Sequence, residues 1–121
     1  VSHVAQSILT SVKKILGIAE SDTSFDVDVI LHTNSVFSIL TQVGIGPDDG
    51  FMIEDATPTW DAFVTDNKLN SVKTYVYLRV RLLFDPPNTS FVIESMEKQI
   101  EELEWRLNVV REAVSWTDPN L

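Results

Sequence analysis

The chain has 121 residues, 44% hydrophobic and 22% charged, with a formal net charge of −9 and no cysteine. That is enough for one domain, residues 1–121, around a single modest core, and it excludes disulfides, thiolate metal sites and cysteine nucleophiles. No apolar run approaches the roughly 18 residues of a membrane span, and Lys13-Lys14 follow the first apolar residues instead of preceding them as in a signal peptide. Synthesis in a reducing cytoplasm is therefore expected.

Residues 1–18 place Val4, Ile8, Val12, Ile15 and Leu16 at helical spacing, with Gly17 as the stop. After the polar link 20–24, a second helix starts near Thr23 or Ser24, with Asp26 and Asp28 in its first turn where the helix dipole favours them. It continues through Val27, Ile30, Leu31, Phe37, Leu40 and Val43 to Gly44, a C-terminal glycine. Residues 45–56 are irregular. Gly46-Pro47-Asp48-Asp49-Gly50 is turn chemistry, and Phe51-Met52-Ile53 suits a short strand in an extended loop or β-hairpin arm. Thr57-Pro58 reads as an N-cap followed by proline at the first helical position, opening a short helix that tucks Trp60 and Phe63 under the core. Asp66-Asn67 separates it from the central helix.

Residues 69–87 form the centre of the chain. On a helix, Leu69, Val72, Tyr75, Val76, Leu78, Val80, Leu82 and Leu83 cover well over half the circumference, so this helix must be packed on two or three sides. Pro86-Pro87 ends it. Arg79 lies inside the apolar arc. A cation there either meets a carboxylate (Asp28, Glu97, Glu101 and Glu104 are the candidates), lies at a subunit contact, or packs its stem and leads its head out to water.

The last helix, capped by Asn88, Thr89 or Ser90, carries Ile93, Met96, Ile100, Leu103, Leu107, Val110 and Val114 at spacings of 3, 4, 3, 4, 3 and 4, a heptad seam. The short link from Asp85 to Thr89 makes it antiparallel to the central helix. Trp105 and Val109 fall off the seam, so a second face is also apolar. Residues 114–121 form an extended tail in which Trp116 and Leu121 lie beyond the seam. The fold class is mainly α, a small helical bundle.

No catalytic, cofactor or metal site emerges. His3 and His32 are isolated histidines; an EF-hand register on Gly50 would put Ile45, Pro47 and Ala56 at ligand positions; and Gly44-Ile45-Gly46-Pro47 lacks the lysine of a phosphate loop. The carboxylates read as a solvated acidic face. From Ile15 to Asn67 there is no lysine or arginine, a surface that repels a phosphate backbone.

Val36-Phe37-Ser38, Gly44-Ile45-Gly46-Pro47, Gly50-Phe51, Thr59-Trp60, the whole stretch from Leu69 to Pro87, Met96-Glu97-Lys98-Gln99-Ile100 and Glu104-Trp105-Arg106-Leu107 are where the chain resembles a known family. It is similar there to the small head–tail connector (adaptor) proteins of long-tailed double-stranded DNA bacteriophages. The likeness covers roughly residues 8 to 112 and is strongest in the second half. It implies a mostly helical subunit without enzymatic activity or cofactor, assembled as a ring of twelve beneath the portal in the virion neck, after assembly in the host cytoplasm. The ring would extend the DNA channel without sequence-specific binding and present a surface to the next tail-completion or stopper protein. On that reading Phe51, Met52 and Ile53 anchor an arm reaching a neighbouring subunit, Arg79 and Trp105 lie at contacts, and Trp116 and Leu121 dock on the portal. Two rivals are a soluble helical interaction protein that dimerises through the seam, and a ligand-binding bundle or enzyme, which needs a polar pocket the sequence does not display.

Overall fold

The structure, a computed structural model, describes the backbone of residues 7–64 and 69–115 and the side chains of 7–64 and 69–108. These residues form five helices: α1 (Ile8–Ile15), α2 (Asp26–Gln42), α3 (Trp60–Phe63), α4 (Leu69–Phe84) and α5 (Ser90–Ser115). The expected seam positions Val110 and Val114, the first-helix position Val4 and the Asp66-Asn67 link lie outside these side chains.

Local chemistry sets the helix ends. Ser7 caps α1 by accepting from the Thr10 N–H at 3.3 Å. At the end of α2, Gly44 adopts φ +85, where a side chain would be strained. There the Ile45 N–H reaches the Leu40 carbonyl at 2.9 Å and the Gly44 N–H reaches Thr41 at 3.0 Å, a Schellman closure. α1 closes the same way, with Ile18 bonded to Lys13 and Gly17 to Lys14. The start of α2 falls two or three residues later than the sequence suggested. The Asp22 carboxylate accepts from both the backbone N–H and the hydroxyl of Ser24, so that residue is held in a turn and α2 begins at Asp26. The carboxyl group of Asp22 is held below its ordinary range by those bonds.

α4 is the hub, packed against α1, α2 and α5. Its Val72, Tyr75, Val76 and Val80 are buried, as the width of its apolar arc requires. α2 runs antiparallel to α4: Phe25 and His32 meet the Phe84 ring edge-on at 5.6 and 6.4 Å at one end. At the other end, Leu40 and Val43 share a cavity with Tyr75 and Leu107. Residues 85–89 reverse the chain so that α5 returns along α4. Ile100 and Leu107 of the heptad seam are buried in the common core and Leu103 packs partly against it.

Residues 43–59 form a loop with no strand ladder, contrary to the strand expected at Phe51–Ile53; the described bridge outside the helices joins Ser7 to Thr59. Instead of a neighbouring strand, this segment finds α2. The Asn34 side chain donates to the Ile53 carbonyl at 2.9 Å and accepts from its N–H at 2.8 Å, satisfying both backbone groups of a buried residue. Phe51 and Phe63 then close on Phe37, with ring centroids 5.3 and 4.6 Å away. The cap expected at Thr57 also moves. Pro58 gives its carbonyl to the Ile8 N–H at 3.1 Å, which keeps it extended, and Thr59 becomes the N-cap of α3. Trp60, 1% exposed, locks α3 to α1 through its indole N–H on the Ser11 hydroxyl at 3.1 Å.

Candidate assembly surfaces

α2 turns Val29, Thr33, Val36, Phe37 and Leu40 inward. Leu31, Ser35, Ser38 and Gln42, spaced four, three and four apart, therefore face away from the core. Between Asp28 and Asp48 the only ionisable side chain is His32. Because the Asn34 clamp holds the loop alongside, this outer face and residues 49–52 enclose a groove of about 660 Å³. Phe51 and Asp49 are among the residues that line it, and Leu31 and Met52 stand at its edge, 61% and 70% exposed.

A second constellation joins α4 to α5. Arg79 meets the Glu104 carboxylate at 2.7 Å, so of the readings open in the sequence the carboxylate partner is realised, within the subunit. The Tyr75 hydroxyl donates to the same oxygen at 2.8 Å and accepts from Arg79 Nε at 2.9 Å. Burial first, and the bond to Glu104 second, push the Tyr75 hydroxyl up to about 12. For Arg79 burial acts to lower the pKa, but Glu104 and Tyr75 outweigh it and hold the guanidinium above its ordinary value. This trio fixes the register of the two helices. Within it the Tyr75 hydroxyl and the Arg79 guanidinium both keep their protons well above neutrality.

The residues singled out by sequence fall into three groups. Ile53 is buried in the subunit's own core, and Phe51 is half-buried against it. Met52 and Trp105 are exposed, Trp105 to 67%, on a part of α5 that is not turned toward the buried Ile100 and Leu107. Trp116 and Leu121 lie outside the described residues. Sequence reasoning missed Leu31 and Asn34 as surface-defining residues. The signal was available in the uncharged run of α2, which a helix with a wetted outer face does not need.

Among the described residues no group of histidine, cysteine, aspartate or glutamate side chains is placed to hold a metal, and no helix is long and apolar enough to cross a membrane. Leu31, Met52 and Trp105 are large apolar side chains that stay outside the core. Over residues 8–114 the chain matches the family model for phage connector proteins, and it belongs to that family. The family is structural, a connector that works in the virion among other virion proteins. Comparison with curated proteins and with solved structures gives no match.

Proposed function

We propose that the chain is the ring-forming adaptor of a phage neck, which joins the portal to the tail-completion or stopper protein and lengthens the channel through which the genome passes. The family match over residues 8–114 carries this reading. Several features support it. Leu31, Met52 and Trp105 are exposed on α2, the loop and α5, as a subunit with neighbours on more than one side requires. The acidic first half gives a phosphate backbone nothing to grip, which suits DNA that slides past. Trp116 and Leu121 supply apolar anchors for a contact with the portal, since tryptophan is prominent among interface hot spots. Assembly takes place in the host cytoplasm and ends in the virion neck.

The rival that dimerises through the heptad seam loses its main support, because Ile100 and Leu107 are spent inside the subunit. Light-scattering mass and electron-microscope images of the purified chain, alone and with a phage portal protein, test the proposal. A closed ring of about twelve copies with an open centre is expected. A monomer or a compact dimer that ignores the portal would sink it.

A further inference from the structure

We propose that the groove between α2 and the 49–52 loop receives Trp105 of a second copy, so that successive subunits join head to tail. This identifies the subunit contact of the ring and rests on the ring reading.

Charge is the first argument. Each copy carries −9, and surfaces rich in carboxylates repel one another at close range. The outer face of α2 is the place in the acidic half where a second copy meets no carboxylate over about four helical turns; the acids resume with Asp48, and Asp49 is among the residues that line the groove. Loss of charged side chains from the centre of a patch, with charge kept at the rim, is how protein contacts are built. The second argument is complementarity. Trp105 is 67% exposed, and beside it Arg106 is occupied by an exposed pair with Glu102, whose side chains are 62% and 60% accessible. Such a pair holds weakly and is easily exchanged. An indole entering the groove covers Leu31, Phe51 and Met52, and brings Arg106 within reach of Asp49. The third argument is geometric. The groove lies on α2 and the loop and the tryptophan on α5, so the contact can be made head to tail without a twofold exchange; it then repeats from copy to copy and closes into a ring when the rotation allows.

The chain has no cysteine of its own, which makes cross-linking clean. Full-length Asp49→Cys and Arg106→Cys variants, which keep Trp105 and the apolar lining of the groove, are mixed and oxidised. A disulfide between the two variants is expected, with little product from either alone, and a chain carrying both changes should give a ladder of masses. A double variant that stops at the dimer, or cross-links only between like positions, overturns the proposal. Separately, Trp105→Ala and Leu31→Asp alter exposed side chains, so helix content should stay at the wild-type level while ring mass falls to that of the monomer. Rings that persist in both, with no disulfide joining the two cysteine variants, refute this contact and leave the connector reading standing. A wild-type chain that never assembles, alone or with portal, removes the ring reading itself and this contact with it.

Discussion

Replacing Asn34 with alanine tests whether the long loop is held to the bundle by one side chain. In the native subunit the carboxamide donates to the Ile53 carbonyl at 2.9 Å and accepts from the Ile53 N–H at 2.8 Å. Ile53 is 1% exposed, so the substitution leaves a backbone donor and acceptor unpaired at a site that water reaches poorly. Each such group costs about 1–3 kcal/mol. Asn34 itself is half-buried and local opening will admit some solvent, which puts the combined loss at roughly 2–4 kcal/mol. Urea unfolding measures that loss, and hydrogen exchange at the Ile53 amide reports its local origin. Asn34→Asp provides an internal control. It keeps an acceptor for the Ile53 N–H but sets a carboxylate against the Ile53 carbonyl, so stability should fall while the amide stays protected. The reasoning fails if Asn34→Ala changes stability by less than about 0.5 kcal/mol, the scale of a surface substitution, and the Ile53 amide exchanges as before.

Other substitutions probe the core and the α4–α5 trio. Leu107→Ala should cost about 2–5 kcal/mol as a large-to-small core change, and Leu103→Ala less, because Leu107 is 3% exposed while Leu103 packs only partly; equal denaturation midpoints for the two would contradict this. Gly46→Ala combines a φ of +86 with a new methyl group that collides with the Phe63 ring, so a loss of roughly 2–3 kcal/mol is expected in the same assay, and a neutral result would mean the loop is not seated on that ring. With Tyr75 raised to about 12, the folded state retains a proton that the unfolded chain releases near pH 10. Stability from this group is therefore complete below pH 10 and is lost as pH climbs toward 12. Both tyrosines should titrate late by tyrosinate absorbance, since burial also raises Tyr77, and Glu104→Gln should move only one of them downward. Two unshifted tyrosines would dismiss the trio.

What could be read from the sequence was whatever local chemistry decides. The limits of α4 followed from an apolar arc that stops at Pro86-Pro87, and Gly17 and Gly44 marked helix ends because their positive φ suits a Schellman closure. The heptad spacing of α5 identified Ile100 and Leu107 as core without any knowledge of the partner. Arg79 was legible as a problem, and Glu104 was among its named solutions; that Tyr75 would share the carboxylate was not, because the helix register decides it. The loop was misjudged for a similar reason. Phe51-Met52-Ile53 has strand composition, but a strand needs a ladder, and here the backbone of Ile53 is satisfied by a side chain 19 positions earlier. Pro58 likewise has the composition of a helix start, yet its carbonyl is committed to Ile8 on another element.

Several of the cations are committed to partners within the subunit. Lys13, 3% exposed, is held by Asp26 at 2.8 Å and the Glu20 carbonyl at 3.1 Å. Lys73 lies over the Trp60 ring at 5.8 Å, and Arg81 donates to the Asp85 carbonyl at 2.7 Å. Arg79 and Arg106 are each paired with a glutamate of α5. In the stretch without lysine or arginine, Asp28, Asp48, Asp49, Glu54, Asp55 and Asp61 are all exposed. Every one of the acids from Glu20 to Asp66 falls outside positions 29–47. A helix face bathed in water tolerates carboxylates at no cost, and this half of the chain uses them freely elsewhere. A face that will be desolvated does not tolerate them, because a buried charge without a partner is strongly unfavourable. Leu31, Ser35, Ser38 and Gln42 are the residue types that accept either condition, and their position opposite the core makes the outer side of α2 the part of this acidic subunit suited to being covered.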